Sequence, residues 1–112
     1  KLEREQIEES IRKNKEKWKI PSYMEIIEFI VDYLEIRLEE KIVEVDNGHY
    51  QGIYFYVIPL EHYGFLYTTL DYGSCSHCDT LQSIADEKDE ETRVKEYYTF
   101  MLQVVQSLRK AP

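Results

Sequence analysis

The sequence predicts an α+β fold: a three-stranded antiparallel meander flanked by helices, in the order α-α-β-β-β-α-α. Three observations lead there. Apolar residues recur at helical spacing over 22–40 and again over 92–110. Between them lie three short runs rich in β-branched and aromatic residues, 41–45, 50–58 and 65–72, each bounded by turn signals. The length, 112 residues, suits a single domain with one modest core, so 1–112 reads as one unit.

Residues 1–19 read as a charged helix. Acids lead (Glu3, Glu5, Glu8, Glu9) and bases follow (Lys13, Lys15, Lys17, Lys19), which suits the helix dipole. The apolar stripe is thin, Ile7, Ile11 and Trp18, so this helix is expected to pack loosely, with Trp18 as its anchor. Pro21 breaks it. Ser22 with Glu25 three residues on is a capping-box signature, and a second helix is expected from there to about Glu40. Ile26, Phe29, Ile30, Tyr33 and Leu34 form its core stripe. On its other side Glu25, Glu28, Asp32, Glu35 and Glu39 recur three or four apart, which aligns five acids along one face.

The first strand spans 41–45. Asp46-Asn47-Gly48-His49 reads as a two-residue hairpin turn, since Asn-Gly supplies the positive φ angles of a type I′ turn. In the second strand Ile53, Phe55 and Val57 share one face and Tyr54, Tyr56 and Ile58 the other, so it is expected to be central. Pro59 ends it, Glu61-His62-Tyr63-Gly64 turns the chain, and 65–72 is the third strand. Asp79 caps a short helix, and 86–91 is a charged linker that opens an acidic helix start. The last helix runs from Thr92 to Lys110 on a stripe of Val94, Tyr98, Met101, Val105 and Leu108, with Arg109 and Lys110 at its C-terminus.

The net charge of -8 argues against nucleic acid as a direct partner, because a phosphate backbone calls for a basic face. An acidic domain can bind a basic protein surface instead, and the plain alternative is that acidity serves solubility. No apolar run is long enough to span a bilayer and the first residues are charged, so the expected location is the cytoplasm.

The chemically special residues concentrate in Cys75-Ser76-His77-Cys78. Two cysteines two residues apart can share a tetrahedral zinc, act as a redox dithiol, or simply be small buried thiols. With sequential strands paired, this loop lies at the same end of the sheet as the Asn47-Gly48 turn, and His62 lies at the other, roughly 30 Å away for a nine-residue strand. The candidate metal ligands are therefore Cys75, Cys78 and His49, with His77 or Asp46 as the fourth. Asp46 would face His49 across the turn and could orient it. No phosphate loop, Gly-x-Ser-x-Gly elbow or His-Glu-x-x-His helix occurs, and no catalytic residue is assigned.

Tyr72-Gly73-Ser74-Cys75 together with Cys78-Asp79-Thr80-Leu81 resembles a segment of small bacteriophage-encoded proteins, in which Gly often stands where this chain has His77. The small, acidic, single-domain profile is similar to that of phage anti-CRISPR proteins, some of which act on type II nucleases. That resemblance implies an inhibitor that docks on a basic surface of such a nuclease or another host defence protein. The acidic stripe would be the contact and zinc would be structural. The alternatives are a small thiol oxidoreductase with Cys75 as nucleophile, or a housekeeping metalloprotein.

Overall fold

The structure, a computed structural model, describes residues 3–19, 21–48, 52–62, 64–72 and 80–111, with the backbone alone described for 47, 48, 72 and 80. The elements are α1 (Arg4–Lys13), α2 (Tyr23–Tyr33), β1 (Val43–Gly48), β2 (Gly52–Pro59), β3 (Phe65–Tyr72), α3 (Thr80–Ala85), α4 (Glu90–Ser107) and β4 (Arg109–Ala111). The sheet has four strands in the order β1-β2-β3-β4, each pair antiparallel. This corrects the expected three-stranded meander: the order is α-α-β-β-β-α-α-β.

The fourth strand arises where the last helix was expected to continue. α4 stops at Ser107, whose hydroxyl donates to the Val104 carbonyl at 2.7 Å and lies 2.7 Å from Thr68 Oγ1 on β3. Leu108 then turns extended, with ψ of 133°, and Arg109 and Lys110 pair with Tyr67 and Leu66. The edge of β3 carries unpaired backbone groups, and three added residues satisfy part of it. Arg109 and Lys110 thus belong to a strand, not to a helix terminus.

Strand alternation sorts the sheet into two unlike faces. Tyr56, Ile58, Thr68 and Leu70 are buried, and Tyr54 and Leu66 pack beside the core. Against this inner face stand Ile26, Ile27 and Ile30 of α2, Leu81 and Ile84 of α3, and Val94, Tyr97, Phe100, Met101 and Val104 of α4. The α4 stripe is offset by about one residue from the expected one, with Tyr97 and Val104 fully buried and Tyr98 and Val105 only partly so. None of Val43, Val45, Ile53, Phe55, Val57, Phe65 and Tyr67, the outer face, belongs to the core or packs against it.

Residues of the first segment sit in the core. Ile7, Ile11 and Trp18 are buried, and the Trp18 ring lies 5.3 Å from those of Phe29 and Tyr97. Burial pushes the Tyr97 hydroxyl up to about 12, and among the described residues neither that hydroxyl nor Trp18 Nε1 has a hydrogen-bond partner. Ring contacts of this kind contribute roughly 1 kcal/mol each and help offset those unpaired groups.

A line of ion pairs fastens α1 to α4. Glu8 is buried between Arg4 at 2.9 Å and Arg12 at 3.4 Å, Arg12 also binds Glu91 at 2.9 Å, and Lys15 meets Glu90 at 3.3 Å. The charged linker therefore has a structural use, with Asp89 as N-cap accepting from the Thr92 amide at 3.0 Å. The hydrogen bond from Arg12 holds the Glu91 carboxyl below the usual carboxylate range, and the Thr92 hydroxyl and amide do the same for Asp89. A lowered carboxyl adds stability above its unfolded value, about 4, and that stability is lost as pH falls through the lower folded value. Thermal melts between pH 7 and pH 2 should thus show an acid loss that Glu91→Gln reduces, while lowering the Tm at pH 7. An unchanged acid profile in Glu91→Gln would rule this pairing out as a contributor.

Candidate functional site

The expected metal ligands Cys75, Cys78, His77 and His49 lie outside the described residues. What is described is their frame. Gly48 pairs with Gly52, and Gly52 pairs with Tyr72, so the strand ends that lead into 49–51 and 73–79 are neighbours at one end of the sheet. The turn itself differs from expectation. Asn47 and Gly48 are strand residues opposite Ile53 and Gly52, so the two positions expected to form the turn belong to the paired strand. Asp46 accordingly stands opposite Tyr54, two positions inside the strand, and does not face His49 across a turn. Among the described residues no group of three or more His, Cys, Asp or Glu side chains is placed to hold a metal ion. His62, at the opposite end of the sheet, is exposed and its Nε2 lies 3.0 Å from Glu61 Oε1.

The acidic face can be followed residue by residue. Ser22 and Glu25 form the capping box: the Glu25 amide donates to Ser22 Oγ at 3.1 Å, and the Ser22 amide donates to Glu25 Oε1 at 2.8 Å. Glu25 is thereby a capping group. α2 then ends at Tyr33, about seven residues short of the expected Glu40. Its last turn closes by the amide of Ile36 donating to the Val31 carbonyl at 3.0 Å and that of Glu35 to Asp32 at 3.1 Å. This is a Schellman closure, which places one residue in the left-handed region. Here that residue is Glu35, with φ of 55°, where glycine is the usual occupant. Beyond it Leu38 is bridged to Leu60 and the Glu39 amide donates to the Pro59 carbonyl.

The five-acid helical stripe is therefore corrected. Glu25, Glu28 and Asp32 are on the helix; Glu35 is on the closure and Glu39 on the strap that follows. Three of them still converge. Glu28, Asp32 and Glu35 rim a groove of about 850 Å³ floored by Val31, Ile36, Leu38 and Ile42. Arg37 and Lys41, on the segment that follows the helix, also line it. Among the described residues none of the three acids takes an ion pair; of the bases of the first segment, Arg12 and Lys15 pair instead with Glu91 and Glu90. The groove's apolar floor and its two bases were not read from sequence. The alternation Leu34, Ile36, Leu38 against Glu35, Arg37, Glu39 was the available signal, since period two marks extended chain.

The fold and site define a small α+β protein with a one-sided four-stranded sheet and an open, amphipathic groove. No family model, curated protein or solved structure matches the chain. Among the described residues no helix is long and apolar enough to cross a membrane.

A non-glycine residue in the left-handed region costs roughly 1 kcal/mol, and such outliers persist where surrounding structure holds them. Glu35→Gly should raise stability by about 0.5–1 kcal/mol in denaturant melts, although it removes a charge from the groove. A loss of stability would show that the Glu35 side chain contributes to the fold rather than to the groove alone.

Proposed function

We propose that this chain is a non-catalytic binding protein whose groove beside α2 docks on a basic surface of a partner protein. The observation that carries this reading is the convergence of Glu28, Asp32 and Glu35 on an apolar floor without ion-pair partners of their own among the described residues. Unsatisfied charge beside accessible apolar area is the arrangement that a basic segment with apolar anchors complements. Arg37 and Lys41 in the groove would set the orientation by pairing with a carboxylate of the partner. The partner class follows from the resemblance to phage anti-CRISPR proteins: a type II CRISPR nuclease is the first candidate. In that setting the acidic face would occupy a surface that otherwise holds nucleic acid.

Binding of the recombinant chain to such a nuclease, followed by calorimetry at two salt concentrations, tests this. The triple reversal E28K/D32K/E35K should weaken binding by two orders of magnitude or more. The circular dichroism spectrum should be retained, since exposed single charges change stability by about 0.5 kcal/mol or less. Full-strength binding by the folded triple variant would exclude the groove.

A structural zinc at Cys75 and Cys78, completed by His49 and by His77 or Asp46, is part of the same proposal. It would tie the two neighbouring sheet connections together and add its binding energy to folding. The support is the adjacency of Gly48, Gly52 and Tyr72. Elemental analysis should give about one zinc per chain. Cys75→Ser should lose the metal and melt at lower temperature, while His62→Ala should keep both unchanged. Metal retained in Cys75→Ser, or lost in His62→Ala, would refute this ligand set.

A further inference from the structure

The outer face of the sheet is apolar and nothing in the chain covers it among the described residues. Val43, Val45 and Ile53 keep 46%, 48% and 40% of their surface exposed, and Phe55, Val57 and Tyr67 are half-buried, with the Phe55 and Tyr67 rings 6.2 Å apart. Contiguous apolar area of this kind marks an interaction surface. The charge on this face limits what can cover it. Alternation puts Glu44 and Asp46 on the helix side, opposite Tyr56 and Tyr54. Among the described strand residues the outer face then carries two charges, Asp71, opposite Ile53, and Arg109, opposite Tyr67. Both are exposed, and neither takes an ion pair among the described residues.

These two charges lie on either side of the patch centre at Phe55, which pairs with Thr69, midway between Tyr67 and Asp71 on β3. A two-fold axis lying in the face and passing near Phe55 would therefore set Asp71 of one copy over Arg109 of the other, and the reverse. The strands would then cross at roughly 40°, close to the aligned packing of two twisted sheets, about 30°. The area is compatible. β2 has 8 residues. β1, β3 and β4 have 6, 8 and 3, and at about 3.3 Å per residue with strands about 5 Å apart the footprint is roughly 400 Å². Specific interfaces bury around 800 Å² per partner, so this one falls at the small, reversible end.

We infer that the outer sheet face, centred on Phe55 and bounded by Asp71 and Arg109, is a homodimer interface in which two copies of this chain pack sheet on sheet. The face is electrically neutral and self-complementary, in a chain whose net charge of -8 disfavours contact between copies elsewhere. The groove of α2 lies on the other side of the sheet and stays open in such a dimer, so this inference stands independently of what the groove binds.

Analytical ultracentrifugation of the full chain from low micromolar to about millimolar concentration tests it. The average mass should rise from 13.5 kDa towards twice that value. Val45→Lys, at an exposed edge position, should leave the circular dichroism unchanged and hold the mass at one chain. Asp71→Arg and Arg109→Asp should each weaken the dimer about tenfold or more, equivalent to about 1.4 kcal/mol, and the double swap should restore it. A mass of one chain at every concentration would overturn the inference. So would a dimer indifferent to Val45→Lys and to both charge reversals.

Discussion

Tyr56 decides which side of the sheet is inside. Its ring is fully buried on the central strand among the helices, and its hydroxyl donates to Glu44 at 2.6 Å on the neighbouring edge strand. Burial first, and then that hydrogen bond to a carboxylate, push the hydroxyl well above the ordinary tyrosine range. A strand offset by one residue would move Tyr56 and Ile58 out and bring Phe55 and Val57 in. With the register as it stands, all four helices belong to one face. The acids of β1 lie beside them, and an apolar face is left towards solvent.

That one-sidedness shapes both surfaces. Because α2 must lay Ile26, Ile27 and Ile30 on the inner face, Glu28 and Asp32 are carried outward. The early end of α2 then lets 36–42 return along the sheet edge, with Leu38 bridged to Leu60, and the groove opens between helix and strap. Glu35 is held in a conformation better suited to glycine at the point where the chain turns from one wall to the other. α1 does not compete for these acids. Arg4 and Arg12 of α1 pair with Glu8, Arg12 also with Glu91, and Lys15 just beyond the helix with Glu90.

The legible parts of the sequence were those with local chemistry of their own. The capping box at Ser22 and Glu25 needs only neighbouring residues, and 65–72 is rich in aromatic and β-branched residues after the turn signal at Gly64. The end of α2 was not legible, because a Schellman closure without glycine leaves no residue-type mark and 34–40 keeps enough apolar content to extend a helical stripe. β4 was hidden for another reason. Arg-Lys-Ala has no strand propensity, and it pairs only because the β3 edge lies where Ser107 fastens the end of α4 to Thr68. Asn47-Gly48 carries the strongest short hairpin signal, yet the pairing continues through Gly48 opposite Gly52, where two small residues let the strands run on. Of the candidate ligands, only Asp46 falls among the described residues, and the register that moved the turn also moved it into the strand.

The most direct measurement is solvent paramagnetic relaxation on isoleucine methyl groups, with a neutral gadolinium chelate at a protein concentration low enough to keep single chains. Ile53 and Ile58 lie on the same strand and on opposite faces. Ile53 is 40% exposed and Ile58 1%. Strong relaxation is expected at Ile53 and almost none at Ile58, Ile26 or Ile30. Strong relaxation at Ile58 with a protected Ile53 would mean that the opposite face is buried, and both the groove and the open sheet face would have to be abandoned.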